Sequence, residues 1–353
     1  MSLVDCQDGI DYATSYLVSN KALMAILGME EGQDEIELQF LGHGEHNRNF
    51  WFVAPDGNKY VLRINVVPQV FHKDQVGYEF AALRYLQASG CVPKALYLDN
   101  SHELIDEGVL LISFCEGQEL DFDNLREGDL RNCARLMAEL HAVPVDEDCT
   151  LYRPKDPLRS LFDECLQRFK VYRSSDVEDP RITRWTERLI AKAQPLLDVV
   201  FSAQDCNHII NTETLPSHFL LPENPDDASD HPGYFVDWER PIIGEVAQDI
   251  AYFTAPTSTF WDSELCMTYE QAQEVVQDYW DAVGGRFERG SFDARFKAYR
   301  AMAALRSHTW FCKALLTYRK GGHAHTTSKT YAKFDTYLSD EFLEFVESDC
   351  FDC

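Results

Sequence analysis

The sequence predicts a two-lobed α/β (α+β) chain: a small N-terminal lobe with an antiparallel sheet, and a larger, mostly helical C-terminal lobe. Three observations predict it. Strand-like runs cluster in the first third of the chain and are joined by a hairpin signal. Helical periodicity dominates from about residue 117 onward. The 353 residues are 45% hydrophobic and 12% aromatic, enough to bury one large core or two moderate ones.

Residues 8–27 space their apolar positions (Ile10, Tyr12, Tyr16, Leu17, Leu23, Ile26, Leu27) as a leading helix. An acidic stretch, 30–37, follows. Residues 38–41, 50–54 and 60–66 read as strands, with Asp56-Gly57 between the second and third as a hairpin signal. Residues 74–89 return to helical period and Gly90 stops them. Residues 95–98 and 109–114 read as two more strands. The boundary is placed at Glu116-Gly117, so that 1–116 form the N-terminal lobe and 117–353 the helical lobe. Beyond it, 129–141 form a marked helix with Asp129 in its favoured first turn. A helical block covers 157–202. A β-rich patch follows at 209–221 and 234–237, its two parts separated by loop chemistry at 222–232. From about 245 the chain is helical and rich in aromatics.

Composition excludes several classes. The formal net charge of −27 repels nucleic acid and anionic membranes, and it attracts cations, amines among them. No apolar stretch reaches the roughly 18 residues of a membrane span. The acidic first turn of the chain (Asp5, Asp8, Asp11) does not resemble an export signal. The odd cysteine count, 11, without framework spacing, fits reduced thiols in the cytoplasm. Cys350-Phe-Asp-Cys353 is a lone pair with no second pair to complete a metal site, and reads as a frayed tail before a metal or redox site. His323-Ala-His325 reads as a polar loop or half a metal site. There is no Walker P-loop, no H-E-x-x-H and no G-x-S-x-G.

Four segments carry candidate chemistry. Gly42-His-Gly44-Glu-His-Asn47 is a glycine-rich turn followed by a strand, not by the helix a dinucleotide fingerprint requires. It could cover phosphates from a hairpin, as in kinases, or be an ordinary turn. Arg63 lies on a strand among apolar residues, with Glu79 on the following helix. The pair could hold ATP phosphates, or Arg63 could face solvent. Residues 109–117 form an apolar strand running into a turn. Around Ser113 and Cys115 its backbone could read an adenine edge, or it could be a plain core strand. Outside these four segments, the aromatics of 252–280 could line an acceptor pocket or fill a core.

The fourth segment is Ile209-Ile-Asn-Thr-Glu-Thr-Leu-Pro-Ser-His-Phe-Leu-Leu221, followed by Tyr234-Phe-Val-Asp-Trp-Glu239. It resembles the aminoglycoside phosphotransferase and choline kinase family, in which His-Gly-Asp-x-x-x-x-Asn is followed by Ile-Asp-Trp or Ile-Asp-Phe. Aligned by eye, Asn211 takes the His place, Glu213 that of the catalytic Asp, and His218 that of the metal-binding Asn. Asp237 matches the metal-binding Asp unchanged. Gly244-Glu-Val-Ala-Gln-Asp249 is similar to the family's Gly-Asp-Pro-x-x-Asp, whose second Asp supports the loop. Leu136-Met-Ala-Glu-Leu-His141-Ala-Val-Pro144 is similar to its Leu-His-x-x-Pro helix end. The resemblance covers residues 35–255.

The resemblance implies a protein-kinase-like fold and transfer of the γ-phosphate of ATP, or GTP, to the hydroxyl of a small molecule. Mg²⁺ or Mn²⁺ would be the metal, at His218 and Asp237. It implies Glu213 as catalytic base, Asn211 and Asp249 as support of the loop, and Gly42, Gly44, Asn47, Arg63, Glu79, Ser113 and Cys115 around the nucleotide. The loop departs from the family at Asn211, Glu213 and His218. Glu213 is longer than Asp by a methylene, roughly 1.5 Å. His218 offers an imidazole where magnesium prefers oxygen. A nucleotide- or ligand-binding protein that has lost turnover is therefore the alternative.

Overall fold

The structure, a computed structural model, describes residues 6–30, 36–43, 46–66, 74–199, 205–224, 231–319 and 328–353. The chain divides into two compact units: Met1–Glu116 with Asp237–Glu239, and Gly117–Val236 with Arg240–Cys353. Among the described residues, no helix is long and apolar enough to cross a membrane.

The first unit opens with two helices, α1 (Cys6–Ser19) and α2 (Lys21–Ile26), where the periodicity predicts one. Asn20 makes the break: its backbone is extended and its side chain accepts from the N–H of Leu23, a local bond that competes with helix continuation. Strands β1 (Gln39–His43), β2 (Asn47–Val53) and β3 (Lys59–Asn65) follow, then α3 (Gln75–Leu86), β4 (Ala95–Asp99) and β5 (Gly108–Ser113). The sheet runs β1-β2-β3-β5-β4, antiparallel throughout. Gly57 turns the β2–β3 hairpin at φ 80°, a conformation glycine adopts without strain.

Side chains alternate across a strand, and this sorts β3 into two faces. Leu62 and Ile64 join Phe50, Phe52, Val109 and Leu111 in a core closed by Tyr16, Leu17 and Leu23 of the leading helices. Val61, Arg63 and Asn65 point the other way. Strand geometry thus places a buried arginine on the face opposite that core.

The second unit begins with β6 (Gln118–Glu119), α4 (Asp129–His141), α5 (Pro157–Arg173) and α6 (Pro180–Ala193). The helical block predicted over 157–202 is two helices. Ser174 caps the end of the first, and Asp179 caps the start of the second, with Pro180 in its first turn. Then come β7 (His208–Ile210), β8 (Phe219–Leu221), β9 (Tyr234–Phe235) and β10 (Ile242–Gly244), paired as β10-β7 and β6-β8-β9. Helices α7 (Val246–Thr254), α8 (Pro256–Asp262), α9 (Tyr269–Val283), α10 (Phe292–Arg319), α11 (Ser328–Tyr337) and α12 (Asp340–Phe351) complete it.

The β patch predicted over 209–221 is shorter than expected. It is strand only at its ends, because Thr212 takes φ 73° and turns the chain out of β7. The strand predicted at 234–237 likewise stops before Asp237, which sits at φ 66°. Helix α10, 28 residues long, buries three arginines, Arg295, Arg300 and Arg306. Cys350 is packed in the apolar cluster of α10–α12, with Phe334, Tyr337 and Phe342.

Candidate active site

In the first unit the chemistry gathers on Arg63. It is 7% exposed, so its charge requires anionic partners. Helix α3 supplies Glu79 at 3.3 Å from Nη1, and the tripeptide Asp237-Trp238-Glu239 supplies two more acids. Nη2 donates to Asp237 at 2.8 Å and to Glu239 at 2.5 Å. Asn47 donates to the Glu239 carboxylate and accepts from Asn65 Nδ2 at 2.9 Å. Gln75 donates to the Glu239 carbonyl at 2.6 Å.

One guanidinium therefore answers three carboxylates. Glu79 registers the imbalance: burial and then the Asp237 charge push its carboxyl up, against the pull of Arg63, to about 7. Its Oε2 has no partner among the described residues.

In the second unit the chemistry gathers on the loop after β7. Asp249, in the first turn of α7, accepts from the Asn211 N–H at 2.7 Å and from the Thr212 N–H at 2.8 Å. Thr214 Oγ1 donates to the Asp249 carbonyl at 2.8 Å, and the Asn211 side chain accepts from the Glu213 N–H at 3.0 Å. His141, at the end of α4, lies 3.3 Å from Asp249 through Nε2 and 2.9 Å from the Tyr279 hydroxyl through Nδ1. A carboxylate only accepts, so Nε2 is the donor in the pair with Asp249. Glu245, just before α7, is gripped by Arg295 and accepts from the Tyr299 hydroxyl at 2.6 Å, which anchors the segment leading to Asp249.

Thr212 has positive φ, which costs a β-branched residue of order 1–3 kcal/mol. It stands at the glycine of the family's His-Gly-Asp. Its peptide is held from several sides: by Asp249, by Arg306 Nη1 donating to its carbonyl at 3.0 Å, and through its Oγ1 to the Arg240 carbonyl at 3.1 Å.

Glu213 follows, with its Oε1 bonded to Arg306 Nη2 and lying 3.2 Å from Arg240 Nη1. Glu164 and Arg168 of α5 are ion-paired alongside, and Arg240 Nη2 is 3.6 Å from Glu164. Burial raises the Glu213 carboxyl, but Arg306 and Arg240 outweigh it and hold it down at about 2.

The structure thus brings Asn47, Arg63, Glu79 and Asp237 together in the first unit, and Asn211, Glu213 and Asp249 together in the second. The remaining candidates have these surroundings. Gly42 is a β1 residue beside a bulge, with open space around its α-carbon. Gly44, His323 and His325 lie outside the described residues. Ser113 Oγ accepts from the Lys94 N–H at 2.9 Å. The Cys115 thiol is pushed up to about 12 by burial, which leaves it unreactive. His218 ends a short 3₁₀ turn; its carbonyl accepts from the Val236 N–H at 2.9 Å and its ring stands edge-on to Phe235.

Sequence reasoning missed Glu239, Arg240, Arg306, Glu164 and Arg168. A signal existed for Arg306, a lone charge after Ala301-Met-Ala-Ala-Leu305. Among the aromatics of 252–280, Phe253, Phe260 and Tyr279 are buried in cores.

Such a sheet and such a loop define the class of kinase-fold phosphotransferases. Residues 37–286, well over half of the chain, match the model of the phosphotransferase enzyme family, and the chain belongs to that family. No curated protein matches it. Among solved structures it is similar to spectinomycin phosphotransferase in complex with ADP and spectinomycin (TM-score 0.59, 11% identity, 99% of each chain covered). It is also similar to an ethanolamine kinase of Plasmodium vivax (0.59, 14%, covering 88% of this chain and 84% of that one). A choline kinase of Cryptosporidium parvum gives 0.59 and 16%, covering 87% and 90%. Family membership supports small-molecule kinase activity in general.

Proposed function

We propose that the chain transfers the γ-phosphoryl group of ATP to a hydroxyl of a small molecule, with Glu213 orienting that hydroxyl. The observation that carries this reading is the Asp249 clamp. A loop bearing one carboxylate is fixed by backbone bonds to a buried acid, in a chain of the phosphotransferase family. In a loose phosphoryl-transfer transition state the proton moves late, so orientation counts for more than basicity. A carboxyl held at about 2 is a weak base but is ionised throughout the physiological range, and it accepts a hydroxyl proton as a hydrogen bond.

The remaining roles follow unit by unit. Arg63, aimed by Glu79, would meet the nucleotide phosphates, and Asp237 would hold the metal through a carboxylate that is 37% exposed. Bound magnesium would neutralise phosphate charge. His218 fits magnesium poorly by its chemistry and manganese better. Among the described residues no three histidine, cysteine or acidic side chains group as a metal site, so phosphate and water oxygens would complete any coordination. ATP, with GTP second, and ten free thiols among the described residues fit a reducing cytoplasm. The acidic surface favours cationic acceptors such as amino alcohols and aminoglycosides.

A second reading, nucleotide or ligand binding without turnover, draws on the grip of two arginines on Glu213. One experiment separates them. The full chain is assayed for ADP release and product phosphate with MgATP or MnATP and choline, ethanolamine or spectinomycin, beside Glu213→Gln. Turnover that drops by at least about a hundredfold in the variant supports the phosphotransferase reading. Turnover that persists removes Glu213 from its role. Nucleotide-dependent thermal stabilisation without turnover favours the second reading.

A further inference from the structure

Arg306 belongs to no motif of the loop and lies 93 residues downstream of Glu213, on α10. It is nonetheless the group that holds consecutive loop residues together. Nη1 donates to the Thr212 carbonyl at 3.0 Å and Nη2 to the Glu213 carboxylate. Its guanidinium lies 5.3 Å from the Tyr252 ring centroid, and its main-chain carbonyl accepts from Arg168 Nη1 at 3.4 Å.

We propose that Arg306 is a positioning residue for phosphoryl transfer, a planar fork that locks the strained Thr212 peptide and the Glu213 carboxylate as one unit. The proposal rests on the reading of Glu213 as the acid that meets the acceptor hydroxyl.

Three considerations carry it. An ion pair of a buried arginine with a glutamate that is 34% exposed is weak evidence for stability, because an apolar residue of similar volume does as well or better. A guanidinium retained at 6% exposure therefore calls for a further reason. Next, glutamate has one more rotatable bond than the aspartate of the motif, and a misplacement of about 1 Å costs on the order of a hundredfold in rate. A fork that fixes both the main chain and the carboxylate removes that freedom. Finally, lysine could not do this, since a single ammonium lacks the fixed spacing of two parallel donors.

The charged and titratable groups around Glu213 are Arg306 from α10, Arg240 from the segment before β10, Glu164 and Arg168 from α5, Tyr252 from α7 and His218 from its own loop.

The test is the carboxyl titration of Glu213 in the full chain, labelled with ¹³C at glutamate carboxyls. Its resonance is the one absent from Glu213→Gln. Between about pH 4 and pH 8 the wild-type signal stays that of an ionised carboxylate. Arg306→Met should bring a titration midpoint into that window, a rise of about two units or more. Arg306→Lys, the variant that keeps the charge and protects the fold, should raise it by a smaller amount. Arg240→Met should move it less than Arg306→Met. A Glu213 signal unchanged in both Arg306 variants overturns the proposal. That failure is distinct from a failure of the function itself, which is read from absent turnover in the wild-type chain, and from a failure of the Glu213 role, which is read from persistent turnover in Glu213→Gln.

Discussion

The two arginine sites are inversions of one another. In the first unit one guanidinium, Arg63, meets three carboxylates, Glu79, Asp237 and Glu239. In the second, three guanidinia, Arg168, Arg240 and Arg306, gather around two, Glu164 and Glu213. Burial pushes the carboxyl up at both Glu79 and Glu213. Yet Glu79 ends at about 7 and Glu213 at about 2. The local count of charges, not burial, decides the sign. The first site has a surplus of acid of the kind a cation relieves. The second has an acid that stays ionised whatever the pH of the cell.

The sharpest way to break this comparison is to remove the lone cation. Arg63→Met leaves three acids without their shared partner, two of them at least largely buried, and should destabilise the chain by about 3–5 kcal/mol in urea unfolding. A loss below about 1 kcal/mol would mean that the carboxylates are already relieved by other means.

The pH dependence comes next in size. The folded Glu79 carboxyl, at about 7, lies above its ordinary value of 4.5. Its stabilising contribution is therefore fully present below about pH 4.5 and is lost as pH rises through about 7. The stability of the wild type relative to Glu79→Gln should fall by on the order of 3 kcal/mol as pH rises across that window. A difference that stays flat in urea titrations from acid to neutral pH would remove the asymmetry between the sites.

The smallest effect is expected at Thr212→Gly. Relief of the φ 73° strain offsets the lost bond from Oγ1 to the Arg240 carbonyl, so unfolding stability should change by less than about 1 kcal/mol. A loss several times larger would show that the threonine contacts outweigh the backbone strain.

What the sequence made legible has a common character. The Arg63–Glu79 pair can be read because a cation on an apolar strand needs an acid, and the next helix offers one. Asp249 and His141 can be read because their motifs keep family spacing, and the structure joins them. Arg63 to Glu239 spans 176 residues and Glu213 to Arg306 spans 93, and no local periodicity encodes such contacts. The break at Asn20 was hidden for another reason: apolar spacing continues across it, and only a side-chain cap ends the helix. Thr212 and Asp237 escaped too, since nothing in a threonine or an aspartate announces a left-handed backbone.

The tripeptide Asp237-Trp238-Glu239 belongs to the first unit, although the chain on both sides of it belongs to the second. The gene therefore cannot be cut at residue 116 to yield an autonomous N-terminal half. Such a fragment would keep Glu79 as the counterion of Arg63 but forfeit the two acids donated from far downstream, along with the partners of Asn47 and Gln75. On a ribosome, the N-terminal sheet waits for more than a hundred further residues before its arginine is fully neutralised. Fusion, swapping or circular rearrangement of the halves has to carry that short segment with the sheet.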